Sequence, residues 1–433
     1  MRKDLGIYIH IPFCIKKCGY CDFNSYESME GIIDEYVNAV KREISLIRYQ
    51  PFGKLRAGSS AFSLQPYEVI SIFFGGGTPT VLESGQLIEI LESCKESFNL
   101  KSDLPLVPSL RRRGRGRSHN AEITIEANPE TFTADKLSEL RKGGFNRISI
   151  GVQSFNDRFL KKLGRIHDSK KAYQGILSAR DAGFENISID LMFGIPDETL
   201  SDWESDIKAA IELKPEHIST YNLTIERGTQ FWSETQAKAC GYRLPDEDKQ
   251  LEMYEKGIEL LIKSGYEHYE ISNFAKACSE RSESNGKKCM HNQIYWQNEE
   301  YLGIGAGAYS YINGERRWNI KSPVEYMKRV EIASALPRND IHSAFSLQPL
   351  IEGSEKLDGN KVMGETVMMG LRMLEGINLQ NFKKRFGVEI QSTFSDVISR
   401  LLSNNLIIFD NGNLKLTHKG LLFYNDVSAE FLS

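Results

Sequence analysis

HIPFCIKKCGYCDF, residues 10–23, decides how this chain is to be read. Just before it, in the segment 5–11, Ile7, Ile9 and Ile11 alternate with Tyr8 and His10. A period of two predicts a strand with one apolar and one polar face. That strand leads straight into Cys14, Cys18 and Cys21, a Cys-x3-Cys-x2-Cys run. Three thiolates can hold three irons of a [4Fe–4S] cube and leave the fourth without a protein ligand, whereas electron-carrying clusters usually draw on four cysteines. An open coordination position marks a metal site that binds something. Structural zinc prefers four ligands in paired knuckles, and no partner pair lies close by. Seven cysteines in 433 residues do not make a disulfide framework, and the opening residues read as a strand, not as a secretory signal.

Downstream, short β-branched runs at 68–74, 121–127, 146–152, 185–191 and 216–222 alternate with helical stretches. Between the first two strands, Ile33, Tyr36, Val37, Val40, Ile44 and Ile47 recur at helical spacing. Six strands separated by helices predict right-handed βαβ units and a parallel sheet, short of the eight units of a closed barrel. Strands covered on both faces normally read as unbroken aliphatic runs. Several here alternate: Ile123 and Ile125 against Glu122, Thr124 and Glu126; Ile148, Ile150 and Val152 against Arg147, Ser149 and Gln153; Ile187, Ile189 and Leu191 against Ser188 and Asp190. An apolar face toward helices and a polar face toward a lumen predict a cavity for a charged ligand.

Hydrophobic content of 40%, charged content of 26% and a net charge of −4 describe an ordinary globular chain with no basic field for nucleic acid. No apolar run reaches membrane-spanning length. Free thiols suit a reducing cytoplasm. We expect three units: a barrel over 1–240, an extension over 241–339, and a mainly helical, winged-helix-like domain over 340–433. The last contains a helix–turn–helix pattern and a hairpin, LIIFDNGNLKLT, with Asn411-Gly412 at its tip. Segments 50–66, 101–120, 276–288 and 343–356 read as inserted surface loops, because SAFSLQP occurs in both the first and the last and RRRGRGR in the second.

The cysteine spacing resembles that of radical S-adenosylmethionine (SAM) proteins. In that family SAM chelates the open iron, and one electron cleaves a carbon–sulfur bond to give a 5′-deoxyadenosyl radical. The resemblance implies an α/β partial (β/α)6 TIM-type barrel. GGGTPT at 75–80, IEANPE with Glu126, GVQSF with Gln153, LGRIH with Arg165 and SIDLMFGIP with Asp190 resemble the oxygen-independent coproporphyrinogen III oxidase-like branch. By that resemblance Cys14, Cys18 and Cys21 hold the cluster, and Tyr8, Tyr20, Gly76, Gly77, Thr78, Glu126, Gln153, Arg165 and Asp190 contact SAM.

The branch contains the oxidase, which decarboxylates two propionates to vinyl groups, and heme chaperones, which hand heme to acceptor proteins. The oxidase has a fourth cysteine where this chain has Phe23, and a longer segment before its cysteines. His291-Asn292-Gln293-Ile294-Tyr295-Trp296 resembles the HNxxYW motif of the chaperones. That implies heme contact by His291, Tyr295 and Trp296, with His291 as a candidate iron ligand. The chaperone reading is favoured; its partners are heme and heme-accepting proteins, which in the family include membrane-associated respiratory enzymes. The alternative is the oxidase, a coproporphyrinogen dehydrogenase-type oxidoreductase.

Overall fold

The computed structural model describes residues 3–48, 67–101, 120–236, 244–277, 287–335 and 347–432. Three of the expected insertions fall largely outside them, as do Cys240 and Cys278. Six parallel strands form the centre: β1 (Lys3–Ile11), β2 (Tyr67–Gly76), β3 (Glu122–Ala127), β4 (Arg147–Gln153), β5 (Ile187–Phe193) and β6 (His217–Asn222), each paired with the next. Helices α1 (Ile33–Arg48), α2 (Ser84–Ser97), α3 (Ala134–Gly143), α4 (Ser169–Asp181) and α5 (Leu200–Glu212) connect them. This is the partial TIM-type barrel. The six apolar positions of α1 are all buried, each stabilising by about 1.5–3 kcal/mol relative to exposure.

The period-two pattern sorts the barrel. Ile7, Ile9, Ile11, Ile125, Ile148, Ile150, Val152, Ile187, Ile189 and Leu191 are buried in the main apolar core. The alternate positions are buried too, though polar: Thr124, Arg147, Ser149, Ser188, His217 and Ser219. A polar group out of water calls for a partner; Ser149, Ser188 and His217 find one across the lumen, while Thr124 Oγ1 and Arg147 Nε have none among the described residues. Ser188 meets His217 Nδ1 at 2.8 Å, and His217 Nε2 meets Tyr269 Oη at 2.9 Å.

The sheet is wider than the strand reading implied. Beyond β6 lie the antiparallel β7 (Tyr266–Glu270) and β8 (Asn273–Lys276), with β8 next to β6. On the other side β9 (Tyr301–Ile304) pairs parallel to β1, followed by antiparallel β10 (Tyr309–Ile312), β11 (Glu315–Asn319) and β12 (Ile351–Lys356). The order is β12-β11-β10-β9-β1-β2-β3-β4-β5-β6-β8-β7. Residues 351–356, expected in a surface loop, are thus an edge strand. Glu352, Glu355 and Lys356 give it the charges that blunt a sheet edge, and a charged edge reads as loop.

Further helices of this part include Glu247–Lys263, α6 (Met290–Trp296) and α7 (Pro323–Ala335). The C-terminal unit has its own core of Val367, Leu371, Phe382, Ile398, Leu401, Leu414 and Phe431. It holds helices Gly359–Gly370, Leu379–Phe386 and Ser395–Ser403, and strands Ile407–Asp410 and Asn413–Leu416 that pair as a wing. Asn411 and Gly412 at the tip both have positive φ, 48° and 77°, as a two-residue hairpin turn of this type requires.

Candidate active site

The carboxyl ends of β1 to β5 converge on the cysteine loop. After β2 the chain turns back onto the segment entering that loop: Gly77 N–H donates to Ile11 O and Thr78 N–H to Phe13 O, each at 2.8 Å. A Cβ on Gly77 would lie 2.6 Å from Phe13 O, and Gly76, at φ +113°, would set one 2.4 Å from His10 Cε1. Both positions therefore require glycine. His10 cannot yield, because its Nε2–H donates to Asn24 O at 2.9 Å and its Nδ1 accepts from Tyr8 Oη at 3.2 Å.

Each cysteine is partly buried and has a polar neighbour. Cys14 Sγ lies 3.7 Å from Thr78 Oγ1, Cys21 Sγ 4.0 Å from Ser25 Oγ, and Cys18 Sγ accepts from Arg165 Nη1 at 3.4 Å. Burial raises the thiol pKa of Cys14 and of Cys21, so loading a metal would release protons. Among the described residues, no group of three or more His, Cys, Asp or Glu side chains is arranged for a single metal ion. Sulfurs around one tetrahedral ion would lie about 3.8 Å apart, from a metal–sulfur bond of about 2.3 Å. Three cysteines on one loop, each with a polar neighbour and one beside a guanidinium, give the thiolate chemistry that an iron–sulfur cluster with one open iron calls for.

Arg165 links the loop to the strand ends. Besides Cys18, its Nη2 donates to Gly151 O at 2.8 Å and to Asn128 Oδ1. Asn128 Nδ2 in turn donates to Thr78 Oγ1 at 2.9 Å. Asn128, inside the quoted IEANPE, was not singled out from sequence, and neither was His10. Their signal was position, directly at a strand end beside the cysteine loop. Beside Arg165, a cavity of about 360 Å³ opens between Lys16, Lys161 and His167.

Two carboxylates face the lumen from β3 and β5, the strands on either side of β4. Glu126 accepts from Gly76 N–H at 3.2 Å. Burial, and then the charge of Asp190, push its pKa up to about 7. Asp190 accepts from Ser149 Oγ at 3.0 Å, and burial raises its pKa as well. Gln153 sits at a register shift between β4 and β5 with φ +68°, an irregularity of the kind that re-aims side chains near sites. Tyr20 packs on Phe159, Leu163, Met192, Ile195, Leu223 and Phe231. Gly76, Gly77, Thr78, Glu126, Gln153, Arg165 and Asp190 are thus gathered at one end of the barrel, with Tyr8 and Tyr20 flanking them. Two like-charged acids beside a glycine turn suit a cationic ligand with polar edges.

The 291–296 segment packs against β1 and β2. His291 is 2% exposed. Its Nδ1 meets Ser71 Oγ at 2.8 Å and its Nε2 meets Tyr295 Oη at 3.1 Å. The ring stacks on Phe73 at 5.0 Å and on Tyr8 at 6.2 Å. Burial lowers its pKa to about 3. With both nitrogens hydrogen-bonded inside the barrel wall, His291 would have to release Ser71 or Tyr295 to ligate heme iron. Trp296 packs with Tyr269, Ala275 and Met373 under the Arg372 guanidinium, 4.3 Å from its ring. The motif therefore also joins the barrel to the C-terminal unit. Among the described residues no helix is long and apolar enough to cross a membrane.

The model of the radical SAM superfamily matches residues 8–210, and that of the HemN C-terminal domain residues 357–423. Fold and site together define a radical SAM protein, a class that uses a [4Fe–4S] cluster and SAM. A Bacillus subtilis protein named heme chaperone HemW is 36% identical over 98% of both chains. A Lactococcus lactis protein of the same name is 32% identical over all of this chain and 98% of its own. The solved structure of coproporphyrinogen III oxidase (HemN) from Escherichia coli, a radical SAM enzyme, superposes with a TM-score of 0.76, covering 100% of this chain and 91% of that one at 23% identity; it shows the shared fold. The chain belongs to the HemW family of radical SAM proteins.

Proposed function

We propose that this chain is a heme carrier that binds a [4Fe–4S] cluster on Cys14, Cys18 and Cys21, binds SAM across the strand ends, and hands heme to an acceptor protein. The observation that carries it is the near-complete alignment with proteins named heme chaperone HemW. Phe23, in place of the fourth cysteine of the oxidase pattern, adds to it.

When bound, the cluster supplies an electron and an iron with an open position for the SAM amino and carboxylate groups. The chain's own residues do the rest. The Gly76–Thr78 turn presents backbone at close range. Glu126 and Asp190 attract the cationic end of SAM, while Gln153 and Tyr20 supply an amide and an aromatic face. Arg165, with its fork of donors, steadies the Cys18 sulfur and the Asn128 turn. The polar lumen is the proposed entry for the macrocycle, with the 291–296 segment as one wall and Tyr295 and Trp296 offering ring surface. The setting is a reducing cytoplasm, and the acceptors are heme proteins.

Anaerobic reconstitution followed by two parallel assays tests this. Saturable heme binding with a stoichiometric Soret band, and no vinyl product from coproporphyrinogen III with SAM and reductant, is the expected pair. Formation of the vinyl product would replace the proposal by the oxidase. Absence of saturable heme binding would remove it.

A further inference from the structure

The cysteine loop is held at both ends by one turn from far along the chain, and that turn is anchored on a buried carboxylate. Glu43, on α1, is 2% exposed. It accepts from Gly305 N–H at 2.8 Å, from Asn319 Nδ2 at 2.8 Å and from Tyr326 Oη at 2.6 Å. Asn319 also donates to Gly305 O at 3.0 Å. These bonds fix the Gly305-Ala306-Gly307 turn that follows β9.

The turn acts on both flanks of the loop. On the entering side, Ala306 N–H donates to Tyr36 Oη at 2.9 Å, and Tyr36 Oη–H donates to His10 O at 2.9 Å. On the leaving side, Asn24 Nδ2 donates to Ala306 O at 3.2 Å. The circuit closes through His10 Nε2–H on Asn24 O. The approach is tight: a Cβ on Gly305 would lie 2.7 Å from His10 O, and one on Gly307 2.4 Å from Asn24 Nδ2. His10 and Asn24 bracket Cys14, Cys18 and Cys21, so a shift of this turn moves both ends of the loop together.

We propose that Glu43 is a positioning residue for the cluster, setting the spacing of the three thiolates through the 305–307 turn, Tyr36, His10 and Asn24. The carboxylate is suited to the task because its two oxygens take three donors. A glutamine has one oxygen and brings two donors of its own, so at least one bond is lost or reversed. The inference rests on the cysteines being the cluster ligands, and the experiment separates the two claims.

Glu43→Gln, Tyr36→Phe and a control, Trp203→Phe, are reconstituted anaerobically beside the parent chain. Trp203 is fully buried and donates to Met253 O at 2.8 Å, away from this circuit. The readouts are the rate of iron loss to a chelator, the electron paramagnetic resonance spectrum of the reduced cluster with and without SAM, and the unfolding midpoint without cluster. Glu43→Gln and Tyr36→Phe are expected to lose iron about tenfold faster than the control at matched unfolding midpoint, the effect of about one hydrogen bond, with an altered spectrum. Equal rates and unchanged spectra would reduce Glu43 to a packing role and overturn the proposal. If Glu43→Gln does not fold, Tyr36→Phe decides alone, since it keeps the ring and removes only the hydroxyl link. A parent chain that takes up no cluster would instead refute the ligand assignment.

Discussion

Glu126→Gln is the sharpest test of the SAM site. The folded Glu126 carboxyl titrates at about 7 because it is buried and faces Asp190, against a donation from Gly76 N–H and the charge of Arg147. A ligand that binds the carboxylate must expel the proton below that pH. With a pKa of about 7, the ionised fraction is about 9% at pH 6 and about 91% at pH 8, a ratio of about ten, or about 1.4 kcal/mol. SAM affinity of the parent chain should rise by that factor over this range and then level off. Equilibrium dialysis of the reconstituted protein measures it. The difference between parent and glutamine variant isolates this carboxyl from the amino group of SAM itself. Parallel pH profiles for the two would refute the reasoning. Stability runs the opposite way. Glu126 takes its proton at about 7 when folded and at the ordinary 4.5 when unfolded. Its contribution is complete below the unfolded value and is lost as pH rises through about 7. Urea denaturation of the cluster-free chain between those pH values should show a decline that Glu126→Gln lessens.

Gly76→Ala places a methyl on pinned His10 and on a left-handed backbone. It should destabilise the cluster-free chain by about 2–5 kcal/mol, the sum of backbone strain and overpacking; an unchanged thermal midpoint would contradict the turn geometry. Arg165→Lys keeps the charge but loses the fork, so SAM binding should weaken by about 1–2 kcal/mol with an altered cluster spectrum, measured by dialysis and paramagnetic resonance. Cys18→Ala should abolish the cluster chromophore, and undiminished iron content would rule Cys18 out as a ligand. His291→Gln can retain partners at Ser71 and Tyr295, so if those bonds persist in the heme complex the Soret maximum should stay in place; a shifted maximum would identify His291 as the iron ligand.

The six barrel strands were legible because alternation survives wherever one face meets helices and the other a polar lumen. Ile148, Ser149 and Ile150 show it in three consecutive residues. The cysteine loop and the glycine turn were legible because their chemistry is local. The outer strands were not. β9 is only four residues long, and its place is set by pairing with β1, information absent from any local window. β12 carries the charges of a solvated loop. The partners of His291 were hidden for the same reason: Ser71, which meets its Nδ1, lies 220 positions earlier in the chain. Glu43 gave no signal, lying within an amphipathic helix among charged neighbours.

The pairing of β1 with β9 also orders events in time. Gly6 sits opposite Tyr301, and Asn24 is tied to Ala306 across 282 positions. β1 leaves the ribosome long before β9 and is thus among the last of the barrel strands to acquire both neighbours. Closing so long a loop is slow, and nascent chains emerge at about 5–20 residues per second. The thiols consequently spend many seconds without their final brace. Iron loading is expected to follow chain release, and stalled chains truncated before residue 301 should incorporate little iron when supplied with a cluster donor.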